Sequence, residues 1–335
     1  MKTFRLSCVV LCLLCLRGFG QDSTYAERLG YPRGARVVVL HVDDVGMSLD
    51  ANWGAVDAMT KGVATSCSVM MTCPWVPGFF HYLKEHPQTD AGLHLTLTSE
   101  WKDYRWGPLA GRPSVPGLVD AEGALWPDVA DVVKHATPDE VEREIRAQVE
   151  RALQFGFRPT HLDSHMGTLF ATPGFVQRYV KVGMEFGIPI MFPGGHNTLI
   201  AKQLAAATQS DMAMARAVGR QLWAAGLPVI DDLHNDSYGL KLPEGVRPTV
   251  RNIRAHATRF YMDALRSVKP GITYVIMHCI RPTEVFPHIS GSTQVRHGDM
   301  LAMTNPELRA FIEREGIVLT TMRELMERRR RVSGR

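Results

Sequence analysis

Two adjacent carboxylates, Asp43 and Asp44, stand where the apolar run Val37-Val38-Val39-Leu40 passes through His41 and Val42 towards Val45-Gly46. Like charges side by side raise each other's pKa unless something cationic neutralises them, so the pair demands a partner. Two motifs downstream, Gly92-Leu93-His94-Leu95 and His161-Leu162-Asp163-Ser164-His165, supply imidazoles. One Asp with two His residues makes a divalent-metal site, and the second Asp is left free as a base for hydrolysis. The competing reading is that Asp43 and Asp44 cap the following helix.

Spacing refines these roles. In an extended segment His161, Asp163 and His165 share one face, because side chains alternate. His165, nearest the strand's end, is expected to reach the metal, with Asp163 orienting a neighbouring imidazole and His161 deeper and structural. Asp43 and Asp44, as neighbours, point apart in a regular strand, and the turn at Val45-Gly46 is expected to rotate both towards one pocket. His278 ends the run Tyr274-Val275-Ile276-Met277, and Asp231 and Asp232 end Pro228-Val229-Ile230. Acids and imidazoles gathered at strand C-terminal ends occupy the edge where α/β proteins bind ligands.

The elements that must position these residues alternate. Strands are expected at Arg36–Val42, Val63–Met71, Ala91–Leu97, Thr160–Ser164, Ile188–Phe192, Pro228–Asp232, Thr273–Met277 and Ile317–Thr320. Helices are expected at Ala51–Lys61, Thr137–Phe155, Phe175–Phe186, Leu199–Ala225, Asn252–Val268 and Pro306–Glu315. Thr137-Pro138-Asp139-Glu140 reads as a capping box with proline at the first helical position. This alternation favours a single distorted (β/α) barrel over a doubly wound open sheet. A Trp/Pro-rich insertion, about Ser99 to Ala136, follows the third strand. Its aromatics either offer flat faces to a ligand or pack on one another.

The ends of the chain bear on compartment and charge. Lys2 and Arg5, the apolar stretch Leu6 to Leu16 and the small residues of Gly18-Phe19-Gly20 read as a secretory signal cleaved after Gly20. The apolar stretch is shorter than the ~20 residues of a spanning helix, so no stable membrane insertion is expected after cleavage. Residues 21–335 then form one catalytic domain of a secreted or periplasmic protein. Of 38 basic residues against 34 acidic, Lys2, Arg5 and Arg17 leave with the signal, giving 35 against 34. A near-neutral mature chain gives no reason to expect nucleic acid as a partner. Arg328-Arg329-Arg330-Arg331 reads as a frayed, solvated helix end. Cys67, Cys73 and Cys279 remain, without a CxxC pair, and are expected as buried free thiols, one bridge in an oxidising compartment being the alternative.

Asp-Asp-x-Gly, Gly-x-His-Leu-x-Leu, His-x-Asp-Ser-His and a late strand ending in Met-x-His, in this order, resemble the YdjC/ChbG-like carbohydrate deacetylases. The resemblance runs from about residue 36 to 325 and includes Arg296–Leu301 and Leu308-Arg309. It implies a metal-dependent hydrolase on a distorted (β/α) barrel that removes N-acetyl groups from amino sugars or short chito-oligosaccharides. Carried onto this chain, Asp44, His94 and His165 would hold one divalent metal ion, with Asp43 as general base and His278 as general acid. Softness favours Zn²⁺, Co²⁺, Mn²⁺ or Fe²⁺ for such ligands, while the resemblance also admits Mg²⁺. The chain departs from the pattern at His41, where a small or amide residue is common, at Met166-Gly167, and at Cys279-Ile280, where Pro-Gly often follows the late histidine. A secretory signal is a further departure. The alternatives are a hydrolase of another ester or amide and a secreted carbohydrate-binding protein without catalysis.

Overall fold

The computed structural model describes residues 23–203 and 209–334; the expected signal segment lies outside them. Among the described residues there are seven strands: β1 (Arg36–Val45), β2 (Ser66–Val69), β3 (Ala91–Leu95), β4 (Leu162–Ser164), β5 (Asp232–His234), β6 (Gly271–Met277) and β7 (Val318–Leu319). Six run in the order β4-β3-β2-β1-β6-β5, all neighbours parallel, and β7 pairs with the start of β1. The six form a half-barrel surrounded by helices, the α/β architecture expected from the alternation. Parallel bridges Leu162↔Ile190 and Pro193↔Ile230 link β4 to the stretch leading into β5. The expected strand at Ile188–Phe192 is reduced to such a bridge, and that at Pro228–Asp232 slides forward to begin at Asp232.

Register explains why the chemistry gathers at one end. All neighbouring strands are parallel, so their C-terminal ends open on the same side. β1 lies centrally, every residue after Arg36 buried, as expected for a strand covered on both faces. His94 on β3 stands directly beside Asp163 on β4, and His41 on β1 beside Ser66 of β2 and Ile276 of β6.

β1 continues beyond the expected Val42 to Val45 and therefore carries both acids itself. The pairing register with β2 shifts between Val42 and Val45, and Asp44 adopts φ 64°, a left-handed conformation that an aspartate tolerates better than most residues. This bulge, rather than the turn after it, brings two neighbouring side chains to one pocket. The helix that follows, Leu49–Thr60, is capped by Ser48, whose side chain accepts from the Ala51 N–H. Neither aspartate is needed as its cap.

The helix Pro138–Gln154 has the expected capping box, with Thr137 and Glu140 satisfying each other's backbone N–H groups. Its buried face also anchors the insertion: Glu144 accepts from the N–H groups of Leu109 and Ala110, and Glu140 from that of Gly117. Trp101, Tyr104 and Trp106 pack on one another with centroids 5.4–6.4 Å apart, and Trp126 stacks on His135. The insertion is thus held largely by its own aromatics. Helices Val76–Glu85, Val129–His135 and Thr293–Met303 join those read from periodicity. The expected helix Leu199–Ala225 is observed as Ile200–Gln203 and Gln209–Ala224, with residues between them outside those described.

The arginine run is corrected in part. The helix Met322–Val332 continues through it; Arg329 lies 4.0 Å over the Trp223 ring and Arg328 3.9 Å over Tyr31. Aromatic faces, and for Arg329 the Trp223 carbonyl, hold these two side chains, while Arg330 and Arg331 are exposed as expected, so the run is half packed and half solvated. Cys67, Cys73 and Cys279 are buried and free. Among the described residues no helix is long and apolar enough to cross a membrane.

Candidate active site and metal centre

The open end of the half-barrel collects Asp43, Asp44, His94, His165 and His278, the five residues singled out from sequence. Asp44 Oδ1 lies 3.3 Å from both His94 Nε2 and His165 Nδ1. Asp43 Oδ2 lies 3.7 Å from His94 Nε2 and 3.9 Å from His278 Nε2. All five are buried, His278 the most accessible at 8%.

The imidazoles are aimed by their far nitrogens. His94 Nδ1 contacts Asp163 Oδ1 at 2.6 Å, and His165 Nε2 lies 3.1 Å from both oxygens of Glu100. A carboxylate behind each ring fixes the tautomer that turns the other nitrogen towards Asp44, the arrangement used behind metal-ligating histidines. Asp163 thus takes the orienting place expected of it. Sequence reasoning misses Glu100, whose one signal is an acid shortly after the third strand.

Asp44 Oδ1 is buried and without a hydrogen bond, despite the two facing ring nitrogens. One buried acceptor left open among nitrogens within 4.8 Å fits a divalent cation with Asp44, His94 and His165 as ligands. Two overlapping groups, His41-His161-Asp163 and Asp43-His94-Asp163, are equally compact. In those, however, several donor atoms are already engaged: His94 Nδ1 with Asp163, His41 Nε2 with Ser68 Oγ at 3.0 Å, and His161 Nε2 with the Tyr274 hydroxyl at 3.2 Å.

Charges around the centre follow from burial and neighbours. Burial would raise the Asp44 carboxyl, but the Arg296 guanidinium, then His165 and His94, hold it well below the usual carboxylate range. Burial opposes charge on His94, yet Asp43 and Asp163 keep it well above the ordinary imidazole value. His165 follows the same pattern against burial, raised by Glu100 and Asp44 to about 9. His278 goes the other way: burial, helped by Arg296 and His94, lowers it to about 4 despite Asp44 and Asp43. His278 is therefore neutral at pH 7. Its Nδ1 lies 3.1 Å from Ser237 Oγ, and its backbone N–H donates to Asp299 Oδ2 at 2.8 Å.

The helix Thr293–Met303 supplies two residues that sequence reasoning gave no role. Arg296 donates to Asp44 Oδ2 at 2.6 Å and Asp299 accepts from His278, three positions apart and so on one helix face. Burial raises the Asp299 carboxyl to about 7, against the donors His278 and Tyr261. Only the Arg-x-x-Asp spacing hinted at this, and their partners lie far away in sequence.

His41 and His161 lie deeper. His41 Nε2 stands 3.0 Å from Asp163 Oδ2, 3.1 Å from Asp43 Oδ1 and 3.0 Å from Ser68 Oγ. Asp43 Oδ1 is left buried without a hydrogen bond. The His161 ring lies on Gly92, where an added Cβ would meet it at 2.5 Å, so the glycine of the Gly-Leu-His-Leu motif makes room for that ring. Asp231 and Asp232 are a correction to the reading of strand ends as ligand sites. Asp231 accepts from the N–H groups of Tyr25, Ala26 and Ile272, and Asp232 from those of Leu199, Ile200 and Leu233. Their oxygens are spent on backbone donors, which identifies both as structural.

Comparison with known proteins identifies relatives of this chain. A carbohydrate deacetylase of Thermus thermophilus is 30% identical over 286 residues, covering 85% of this chain and 92% of that protein. A carbohydrate deacetylase of Brevibacillus brevis is 34% identical over 162 residues, 47% of this chain and 59% of that protein. A crystal structure from Enterococcus faecalis, provisionally described as a cellobiose-phosphate cleavage protein, superposes with a TM-score of 0.68 at 20% identity, covering 87% of this chain and 99% of that one. That likeness shows the shared fold. The family model described as YdjC-like protein matches residues 37–314, and the chain belongs to the YdjC-like family.

Proposed function

We propose that this protein is a metal-dependent carbohydrate deacetylase that removes N-acetyl groups from amino sugars or short chito-oligosaccharides. The observation that carries this reading is the pair of buried, unbonded carboxylate oxygens, Asp44 Oδ1 and Asp43 Oδ1, beside imidazoles already oriented from behind. The relatives' names support the carbohydrate and the acyl group.

Asp44, His94 and His165 would hold the metal, which when bound polarises the acetamide carbonyl and acidifies water. Zn²⁺ and Mg²⁺ are the leading candidates, two imidazoles favouring the softer ion. Asp43 takes the proton of the attacking water on Oδ2, the oxygen that faces His94 and His278. His278, neutral at rest, must gain the proton it delivers; Asp43 Oδ2, 3.9 Å from His278 Nε2, is placed to pass it on. His278 then protonates the leaving amine, and Ser237 and Asp299 hold the residue in place. The N-terminal segment adds export to the proposal, with residues 21–335 forming one catalytic domain.

Acetate release from N-acetylglucosamine and its short oligomers, with and without chelator, tests the function. Release that stops with chelator and returns with metal is the expected result. Stoichiometric metal with no acetate from any acetylated sugar would move the substrate to another ester or amide.

A further inference from the structure

One polar group at the mouth of the site has no part in the scheme above. Tyr238 lies in the helical turn Ser237–Gly239 that follows β5, and is 47% exposed although its ring packs against His278 with centroids 4.7 Å apart. Its hydroxyl oxygen accepts from Arg296 Nη2 at 2.6 Å. A guanidinium only donates, so the phenol retains its own proton for another acceptor. Among the described residues no hydrogen bond from that hydroxyl is found.

Arg296 also fixes where the hydroxyl sits. Its other terminal nitrogen donates to Asp44 Oδ2 at 2.6 Å, and the group is 3% exposed, between Trp101, Tyr238 and Phe286. One planar fork therefore places the phenol oxygen beside the carboxylate that faces His94 and His165. A guanidinium on the phenol oxygen also polarises its O–H bond and strengthens it as a donor.

Resting on the hydrolytic reading of the site, we propose that Tyr238 is a catalytic residue whose hydroxyl donates a hydrogen bond to the carbonyl oxygen of the bound acetamide, tightening as that oxygen becomes anionic. The proton stays on the phenol throughout, so no bond is made or broken there. A phenol's ordinary pKa of about 10 keeps it protonated at neutral pH. Such donors act on the transition state more than on the bound substrate.

Tyr238→Phe keeps the ring on His278 and removes only the hydroxyl. In the full chain loaded with metal, acetate affinity measured by calorimetry should fall about fivefold, because acetate presents the same oxygen. Turnover should fall at least about tenfold with KM within about twofold, while metal content and thermal midpoint stay at wild-type values. Wild-type acetate affinity and turnover in the variant would overturn the proposal. So would a loss of metal that accounts for the loss of activity, since the hydroxyl would then only brace Arg296 against Asp44. The two readings separate in the wild type. If it releases acetate from no acetylated sugar yet binds acetate more tightly than Tyr238→Phe, the deacetylase reading fails and the donor role stands.

Discussion

Two Asp-Asp pairs lie at strand termini, one at the end of β1 and one at the start of β5, and they do opposite work. Asp231 and Asp232 receive backbone N–H groups from both sides, tying the helical turn at Tyr25, β6 and the segment at Leu199 to β5. Asp43 and Asp44 face imidazoles and, at Asp44, a guanidinium, and one oxygen of each is left unbonded. The residue types are the same; the surrounding donors differ. A carboxylate filled by backbone is spent, whereas one left open in a buried, cation-rich pocket holds a ligand or a proton.

The largest expected break in this comparison is at the first pair. Asp44→Asn or His165→Ala should abolish metal binding and lower turnover by at least ~10³-fold, whereas Asp43→Asn should retain metal and lose about 10²–10⁴-fold in turnover. Metal analysis alongside initial rates checks both; a fully active Asp43→Asn would remove its role as base.

At the second pair the effect should fall on stability. Asp231→Ala strands the N–H groups of Tyr25, Ala26 and Ile272 and should cost about 2–4 kcal/mol in chemical denaturation. Turnover per folded molecule should be unchanged. A variant of normal stability and impaired turnover would mean that this pair also serves the chemistry.

A smaller effect should follow pH. His165 has a raised pKa, about 9, so its contribution to the metal-free protein is fully present below the ordinary imidazole value and lost as pH rises through about 9. The metal-free thermal midpoint should therefore decline across that window. Metal must displace this proton, so binding at pH 7 should release protons and strengthen as pH rises. Calorimetry in buffers of different ionisation enthalpy reads the release; none at pH 7 would contradict the charge assigned to His165.

The readable parts of the molecule were those encoded locally. The β-branched run into β1 and the capping box at Thr137 each carry their own signal. The metal-ligand candidates stood out because each lies near the open end of its strand. Glu100, Arg296, Asp299 and Tyr238 were not assigned because their roles come from partners distant in sequence. Arg296 meets Asp44 across 252 positions, on a helix without a strong apolar stripe in Ser292-Thr293-Gln294-Val295-Arg296-His297. Nor does sequence reveal that Asp44 itself takes a left-handed backbone, since a bulge depends on pairing with a neighbouring strand. The aspartates at 231 and 232 misled for the same reason: their backbone donors belong to distant segments.

The central claim is that one aspartate of the first pair holds metal and its neighbour does not. Metal bound per chain, measured on wild type, Asp43→Asn and Asp44→Asn after identical loading and desalting, tests it most directly. The expected result is one ion, one ion and none. An Asp44→Asn protein that keeps its ion, or an Asp43→Asn protein that loses it, would contradict the assignment.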